Sequence, residues 1–382
     1  MDFGLSEEQR LLKESVERLL ADRYDFETRK RHLESADGWS REAWKQYAEL
    51  GLLGLPFEEK HGGFGGGPVE TMIVMEAFGR ALALEPYLAT VLLGGGLLRH
   101  AGNDAQRGAT LPKIADGSLL LAFAHAERQS RYDLGDVATT AKKDGTGFVL
   151  DGAKSLVLHG DSADQIVVSV RVSGGRKDRE GIALFLVDGN AEGLARRGYQ
   201  TVDGLRAAEI TLERVRAGAD AALGEPGKSF PAIERVVHEA IAALAAEAVG
   251  AMTAMHEMTV DFLRTRKQFG VPIGNFQVLQ HKAVDMLVAI EQARSIMFYG
   301  TMMAAEVDAA ERTRAMSAVK VQIGRSAQIV GQIGTQLHGG IGMTMEYKGG
   351  HYFKRLAIID TMFGNADHHL KALARAGGLG AA

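Results

Sequence analysis

Residues 264–286 read RTRKQFGVPIGNFQVLQHKAVDM, and the way this stretch is parsed decides how the chain is divided. It lies between two long runs of helical period, Ile233 to Thr265 and Asn275 to Val307. A third run, Glu311 to Leu337, and a shorter helix near the C-terminus follow. Helices of this length form a bundle, and such bundles often assemble further. Residues 227–382 are therefore expected to be a four-helix-bundle-like domain.

Working back from it, the texture changes. The runs GFVLDG (147–152), QIVVSVR (165–171), GIALFLVD (181–188) and AEITLERV (208–215) are short and β-type, with Gly, Asp and Lys clusters between them as turns. They predict a compact antiparallel β domain over 119–226. Before it, Ser6 and Gln9 form a capping-box pattern ahead of Leu11, Leu12, Val16, Leu19 and Leu20 at helical spacing. Ser40 caps a second helix through Ala43, Trp44, Tyr47 and Leu50, and Met72 to Leu84 continues into the apolar segment Val91 to Leu98. Residues 1–118 thus read as a helical domain, and the fold class is α+β multidomain, ordered α, β, α.

Composition narrows the function. The chain has 382 residues, 46% hydrophobic and 24% charged, which suits two or three packed units. No apolar run resembles a membrane span, and the start, MDFGLSEEQR, lacks a secretory pattern, so a cytoplasmic location is expected. With no Cys, disulfides, thiolate metal sites and a Cys nucleophile are excluded, and a net charge of -4 gives no general attraction to nucleic acid. His368 and His369 invite a metal reading, but adjacent helical residues point about 100° apart and no HExxH spacing completes a ligand set.

Two motifs carry chemistry. In the first, Arg266 offers a forked cation suited to a pyrophosphate, with Phe269 and Gln277 behind it. In the second, QLHGGIGMTMEY (336–347), Gln336 offers an amide, and Gly339 and Gly340 a backbone that a nucleotide can approach closely. Together with DGAKSLVLHGDSAD (151–164) and LGLLGLPFEEKHGG (50–63), they make the chain resemble the acyl-CoA dehydrogenase family from end to end. The resemblance implies FAD as cofactor, an acyl-CoA thioester as substrate, electron-transfer flavoprotein as acceptor and a tetrameric or heteromeric assembly. It also implies that Arg266, Phe269, Gln277, Gln336, Gly339 and Gly340 reach a flavin held mainly by a neighbouring subunit.

The departures fall elsewhere. The family's usual base is a Glu just after the last flavin motif, a position that falls here on Phe363, in DTMFGNADHH (360–369). Relatives that carry the base on the helix opening the last domain would place it at Ala240, with Glu239 one residue away. Glu247, two turns further on, is the better substitute, against a plain reading as a paired interhelical carboxylate; Glu234 and Glu239 read as solvated first-turn acids. In the β domain, Leu156 and Leu158 stand where the family has an aromatic residue and a hydroxyl. HAERQSRYD (125–133) replaces a Gly-Ser-rich loop, with Tyr132, Asp133, Thr139 and Thr140 as candidate contacts and His125 and His159 as turn and strand residues. The groups offered to a neighbour are kept and the chain's own are altered. That pattern resembles the small subunit of heteromeric dehydrogenases for pimeloyl-CoA or steroid side-chain thioesters. A self-sufficient homo-oligomer using Glu247, and a non-catalytic acyl-CoA binder or scaffold, are the alternatives.

Overall fold

A computed structural model describes residues 4–377. Its contacts divide into two compact units, one made of the N-terminal segment to Arg31, Pro68–Ala83 and Ile241 onward, the other of His32–Gly67 and Leu84–Ala240. The expected sequence of helical part, β part and helical part is present.

The first unit is helical. Helix α1 (Glu7–Arg23) begins with the expected capping box: Gln9 N–H donates to Ser6 Oγ at 3.2 Å and Ser6 N–H to Gln9 Oε1 at 3.0 Å. A cap of this kind contributes about 1 kcal/mol. The start of α2 (Phe26–Glu34), α4 (Pro68–Ala81), and the long helices α7 (Phe230–Thr265, from Ile241), α8 (Gln277–Met303) and α9 (Ala309–His338) follow, closed by α10 (Lys348–Thr361) and α11 (Ala366–Arg375). Small residues decide how closely these helices approach. A Cβ on Gly79 of α4 would lie 1.9 Å from the carbonyl oxygen of Glu247, and one on Gly250 of α7 would lie 1.9 Å from that of Glu76. Two glycines facing each other's helix let α4 and α7 cross backbone to backbone. By length and mean hydropathy (1.3 over its best window) α7 could span a membrane, but 89% of that window is buried inside the protein, as in a core helix.

The second unit holds the tail of α2, α3 (Arg41–Glu49), a π-helical stretch Leu88–Gly94 running into α5 (Gly95–Ala101), α6 (Asp104–Ala115) and a seven-stranded sheet. The apolar run from Met72 to Leu98 is not one continuous helix: α4 stops where Leu82 takes φ 58°, and its carbonyl accepts from Arg29 Nε at 2.7 Å. The strands are β1 (Leu121–Ala124), β2 (Thr140–Asp144), β3 (Gly147–Leu158), β4 (Gln165–Arg171), β5 (Ile182–Asp188), β6 (Leu194–Gln200) and β7 (Arg206–Ala217). Pairing is antiparallel for β2–β3, β3–β7, β4–β5 and β6–β7, as the short spacing of the runs implies. Strand β1 instead lies parallel to β4, and β2 touches β4 in parallel at Thr140 and Arg171. Alternate residues of these strands, among them Leu150, Ile166, Val168, Phe185, Ile210 and Val215, form one apolar core. Strand β3 bulges twice, the second time between Lys154 and Val157, where Leu156 takes φ 51° and its side chain is turned outward.

Candidate functional site: two motifs presented outward

In the first unit, α7 ends at Thr265 and the chain turns through a minimal hairpin, β8 (Lys267–Gln268) against β9 (Val271–Pro272). Its two corner residues, Phe269 and Gly270, have φ 53° and 82°. Positive φ at both corners is the type I′ turn that fits the twist of a two-residue hairpin. The turn lifts Phe269 off the surface, 91% exposed, with an edge-to-face contact to Phe276 at 6.1 Å. Arg266 is fixed by its backbone, its N–H donating to the Phe262 carbonyl and its own carbonyl accepting from Ile273 N–H. Its guanidinium is exposed and enters no ion pair among the described residues. Gln277, the first residue of α8, is exposed as well.

The second motif ends α9. Gln336 is exposed in the last turn, and Gly339 caps the helix with φ 63° and ψ -142°. A Cβ on Gly339 or Gly340 would meet no atom within 4 Å. Space inside this chain therefore does not call for glycine at 340, whereas a ligand lying against the backbone would. Near the end of α9 the ring of His338 packs between Phe262, four residues before Arg266, at 4.7 Å, and Tyr347, at 4.9 Å. A forked cation, an amide, an exposed ring and a bare backbone are thus all turned to solvent. This donor set suits a dinucleotide with a pyrophosphate and fits FAD.

Phe363 lies in the turn between α10 and α11 with φ 55°, followed by Gly364 at 105°. Thr361 to Ala366 contains no ionisable side chain, with Asp360 and Asp367 on either side of it. Its shape is nonetheless tightly held. Lys320 Nζ donates to the carbonyls of Ile359 (2.7 Å) and Asp360 (3.0 Å), Asp360 accepts from Ala366 N–H, and His369 bridges Ser317 Oγ and the Phe363 carbonyl. Burial pulls Lys320 down to about 8 and His369 down to about 4. His368 stands edge-on against His369, and no cluster of three ligating side chains occurs among the described residues.

Glu247 is buried and paired. Arg355 Nε and Nη2 donate to its two oxygens at 2.5 and 2.8 Å, and the side chains are 6% and 7% exposed. Its backbone sits at the α4–α7 crossing, opposite Gly79. To accept a proton from a substrate the carboxylate must give up part of this fork. The partner, Arg355, was not legible from the sequence because it lies 108 residues away.

In the second unit, Ala240 is wholly buried, and the neighbouring acids are not solvated. Glu239 accepts from Arg99, from His100 at 3.0 Å and from Arg235 at 3.0 Å. Burial pushes its carboxyl up, but these three partners outweigh it and hold it at about 2. Glu234 lies 3.5 Å from Arg179. The first turns of α7 lie there against basic side chains, which the local pattern of the sequence did not show.

The β domain's altered loop folds around one carboxylate. Glu127 accepts from Lys154 Nζ (2.7 Å), Gln129 Nε2 (2.6 Å) and the N–H groups of Ala138 and Thr139. Burial raises its pKa, and these donors overcome it and bring it to about 2. Lys154 also donates to Ser169 Oγ, which meets His125 Nδ1 at 2.9 Å; burial pulls His125 down to about 3. Thr139 is buried just ahead of β2, Thr140 in β2 pairs with Asp151 of β3, and Asp133 closes a turn onto Gly135 N–H. Tyr132 is half-buried, His159 occupies a turn with φ 49°, and Leu156 is 51% exposed. Beside Leu156 opens a cleft of about 500 Å³, floored by Ala153, Thr211 and Ala195 in one cross-strand row. Arg128 and Glu209, 3.8 Å apart, stand at its edge.

Comparison with known proteins identifies the family. The sequence matches the models for the acyl-CoA dehydrogenase N-terminal domain at residues 6–118, middle domain at 122–215 and C-terminal domain at 230–378. It is 30% identical over 355 residues to the probable acyl-CoA dehydrogenase YngJ of Bacillus subtilis, covering 91% of this chain and 92% of that one. It is 27% identical over 381 residues to the acryloyl-CoA reductase (NADH) of Anaerotignum propionicum, covering 98% and 95%. A variant of the Tcur3481-Tcur3483 steroid ACAD has a TM-score of 0.87 at 28% identity, over 97% of each chain. A structure described as the electron transferring flavoprotein of Acidaminococcus fermentans has a TM-score of 0.90 at 25% identity, over 98% and 99%. Matched in order by all three domain models, the chain belongs to the acyl-CoA dehydrogenase family of FAD-dependent oxidoreductases acting on the CH–CH bond of acyl-CoA.

Proposed function

We propose that this chain is the non-base-bearing subunit of a heteromeric acyl-CoA dehydrogenase, completing a flavin site held mainly by a larger homologous partner. One observation carries the reading: the side chains of Arg266, Phe269 and Gln336 are exposed, while Phe363 stands where the resemblance places the base. When bound, FAD supplies the two-electron acceptor for α,β-dehydrogenation of an acyl thioester. Toward it Arg266 offers a forked pair of N–H donors, Gly339 and Gly340 a backbone at close range, and Phe269 an apolar cover. The partner provides the base.

Two further features support assembly. Val284, Val288, Tyr299 and Met302 are exposed along one face of α8, within about 60° of each other at 100° per residue. The Tcur3481-Tcur3483 structure is, by its description, a pair of proteins. Electron-transfer flavoprotein is the proposed acceptor, and the cytoplasm the proposed location.

The test is co-expression. The isolated chain is expected to purify with little flavin and to gain both flavin and acyl-CoA dehydrogenation with its partner; full activity alone overturns the proposal. A second reading rests on Glu247, the one carboxylate buried in the first unit among the described residues. There the chain is a self-sufficient homo-oligomer, and Glu247→Gln would abolish flavin bleaching by acyl-CoA under anaerobic conditions. Unchanged bleaching removes Glu247 from the mechanism.

A further inference from the structure

The loop that follows Gly339 and Gly340 is mostly exposed: Ile341, Met343 and Met345 all face outward. It is tied to the interior at Met345, whose carbonyl lies 2.9 Å from His351 Nε2. The other ring nitrogen, Nδ1, lies 3.0 Å from Arg29 Nη1, and Arg29 Nε donates to the Leu82 carbonyl at 2.7 Å. Arg29 is 1% exposed and His351 3%. Four groups from four segments thus form one line: the end of α4, α2, α10 and the flavin loop.

The chemistry at the two ends fixes the middle. A guanidinium can only donate and a carbonyl can only accept. His351 must therefore accept at Nδ1 and donate from Nε2, which leaves the neutral Nε2–H tautomer as the one state satisfying both contacts. The ring is further held by Phe26, edge-on at 5.0 Å. The charges acting on it are all positive: Arg29 and Lys30 from α2, and Lys354 from its own helix. Nearby, Arg29 and Arg80 act on Lys348, with Asp25 the acid acting on it, and Arg80 is paired with Glu257 at 2.7 Å.

We propose that His351 is a positioning residue for the flavin loop, relaying the fixed position of Arg29 to the Met345 carbonyl in its neutral Nε2–H form. Calling that loop a flavin loop rests on the function proposed above; the relay itself does not. Burial, with Arg29, Lys354 and Lys30, holds His351 below its ordinary value of 6.5. The folded state thus favours the neutral ring. The relay is intact above the ordinary histidine range and is lost as pH falls below it, when a protonated ring would face Arg29.

Two near-isosteres separate the contacts. In His351→Gln the amide nitrogen can occupy the place of Nε2 and keep the bond to Met345; in His351→Asn the amide oxygen keeps Arg29 and loses Met345. Hydrogen exchange by mass spectrometry on the full chain, without flavin, is expected to show residues 339–347 opening about fivefold more in His351→Asn, the effect of one lost hydrogen bond. His351→Gln should remain close to the parent. No change in His351→Asn, or equal loosening in both, overturns the relay. If neither variant folds, imidazole nitrogen shifts of the parent decide: the Nε2–H form at pH 7 supports the relay, and the Nδ1–H form or an imidazolium overturns it. FAD retention by the assembled enzyme is then measured separately. Loosened exchange with unaltered FAD retention keeps the relay and removes the flavin assignment.

Discussion

At the scale of single residues, the Glu247–Arg355 pair separates stability from chemistry. Arg355→Met leaves a buried carboxylate unpaired and is expected to cost about 3–5 kcal/mol, whereas Glu247→Met with Arg355→Met should be near neutral, because hydrophobic replacement of both ions removes both desolvation penalties. Thermal melts of the three proteins check this. Glu127 makes a pH prediction. Its pKa is depressed from 4.5 to about 2, so its contribution to stability is full above the ordinary carboxylate range and is lost as pH falls through about 2. Lys154→Met should bring that acid transition to higher pH, read by circular dichroism. That Glu247 is an interhelical paired carboxylate was one reading of the sequence, but neither its partner nor the Glu127–Lys154 pair was legible. Charged residues announce themselves in a sequence, but their partners lie across the fold, as with Lys154 and Glu127, 27 residues apart on a strand and a loop.

At the scale of elements, periodicity did most of the reading. The long helices and the β runs follow from apolar spacing, because each buries one face against a neighbour. Features set by backbone geometry stayed hidden: the break at Leu82, the π-helical stretch, the parallel placement of β1. The hairpin of Phe269 and Gly270 shows what such geometry implies. Gly270→Ala places a side chain at φ 82° and should destabilise by about 1 kcal/mol. Gly340→Val meets no atom of its own chain and should leave the melting temperature unchanged, within about 0.5 kcal/mol of stability, while the assembled enzyme loses flavin. Flavin absorbance set against protein concentration measures that loss. At the α4–α7 crossing the opposite holds: Gly79→Ala sets a Cβ 1.9 Å from a carbonyl oxygen, and the expected outcome is a chain that is insoluble or melts well below the parent.

At the scale of the whole molecule, the order of its parts and the family were legible from sequence because the stretches that carry them are contiguous, while the acyl pocket was not, because it depends on tertiary packing. Native mass spectrometry of the co-expressed enzyme should give a heteromer that carries flavin, and the chain alone a species with little. The outward-turned Arg266 and Phe269 carry one more consequence. A cofactor gripped from two sides acts as a linker, so its affinity and the affinity of the subunits for each other form a single thermodynamic cycle. Diluting the enzyme should therefore release flavin as well as subunits. Added flavin should in turn draw the subunits back together at concentrations where protein alone stays apart.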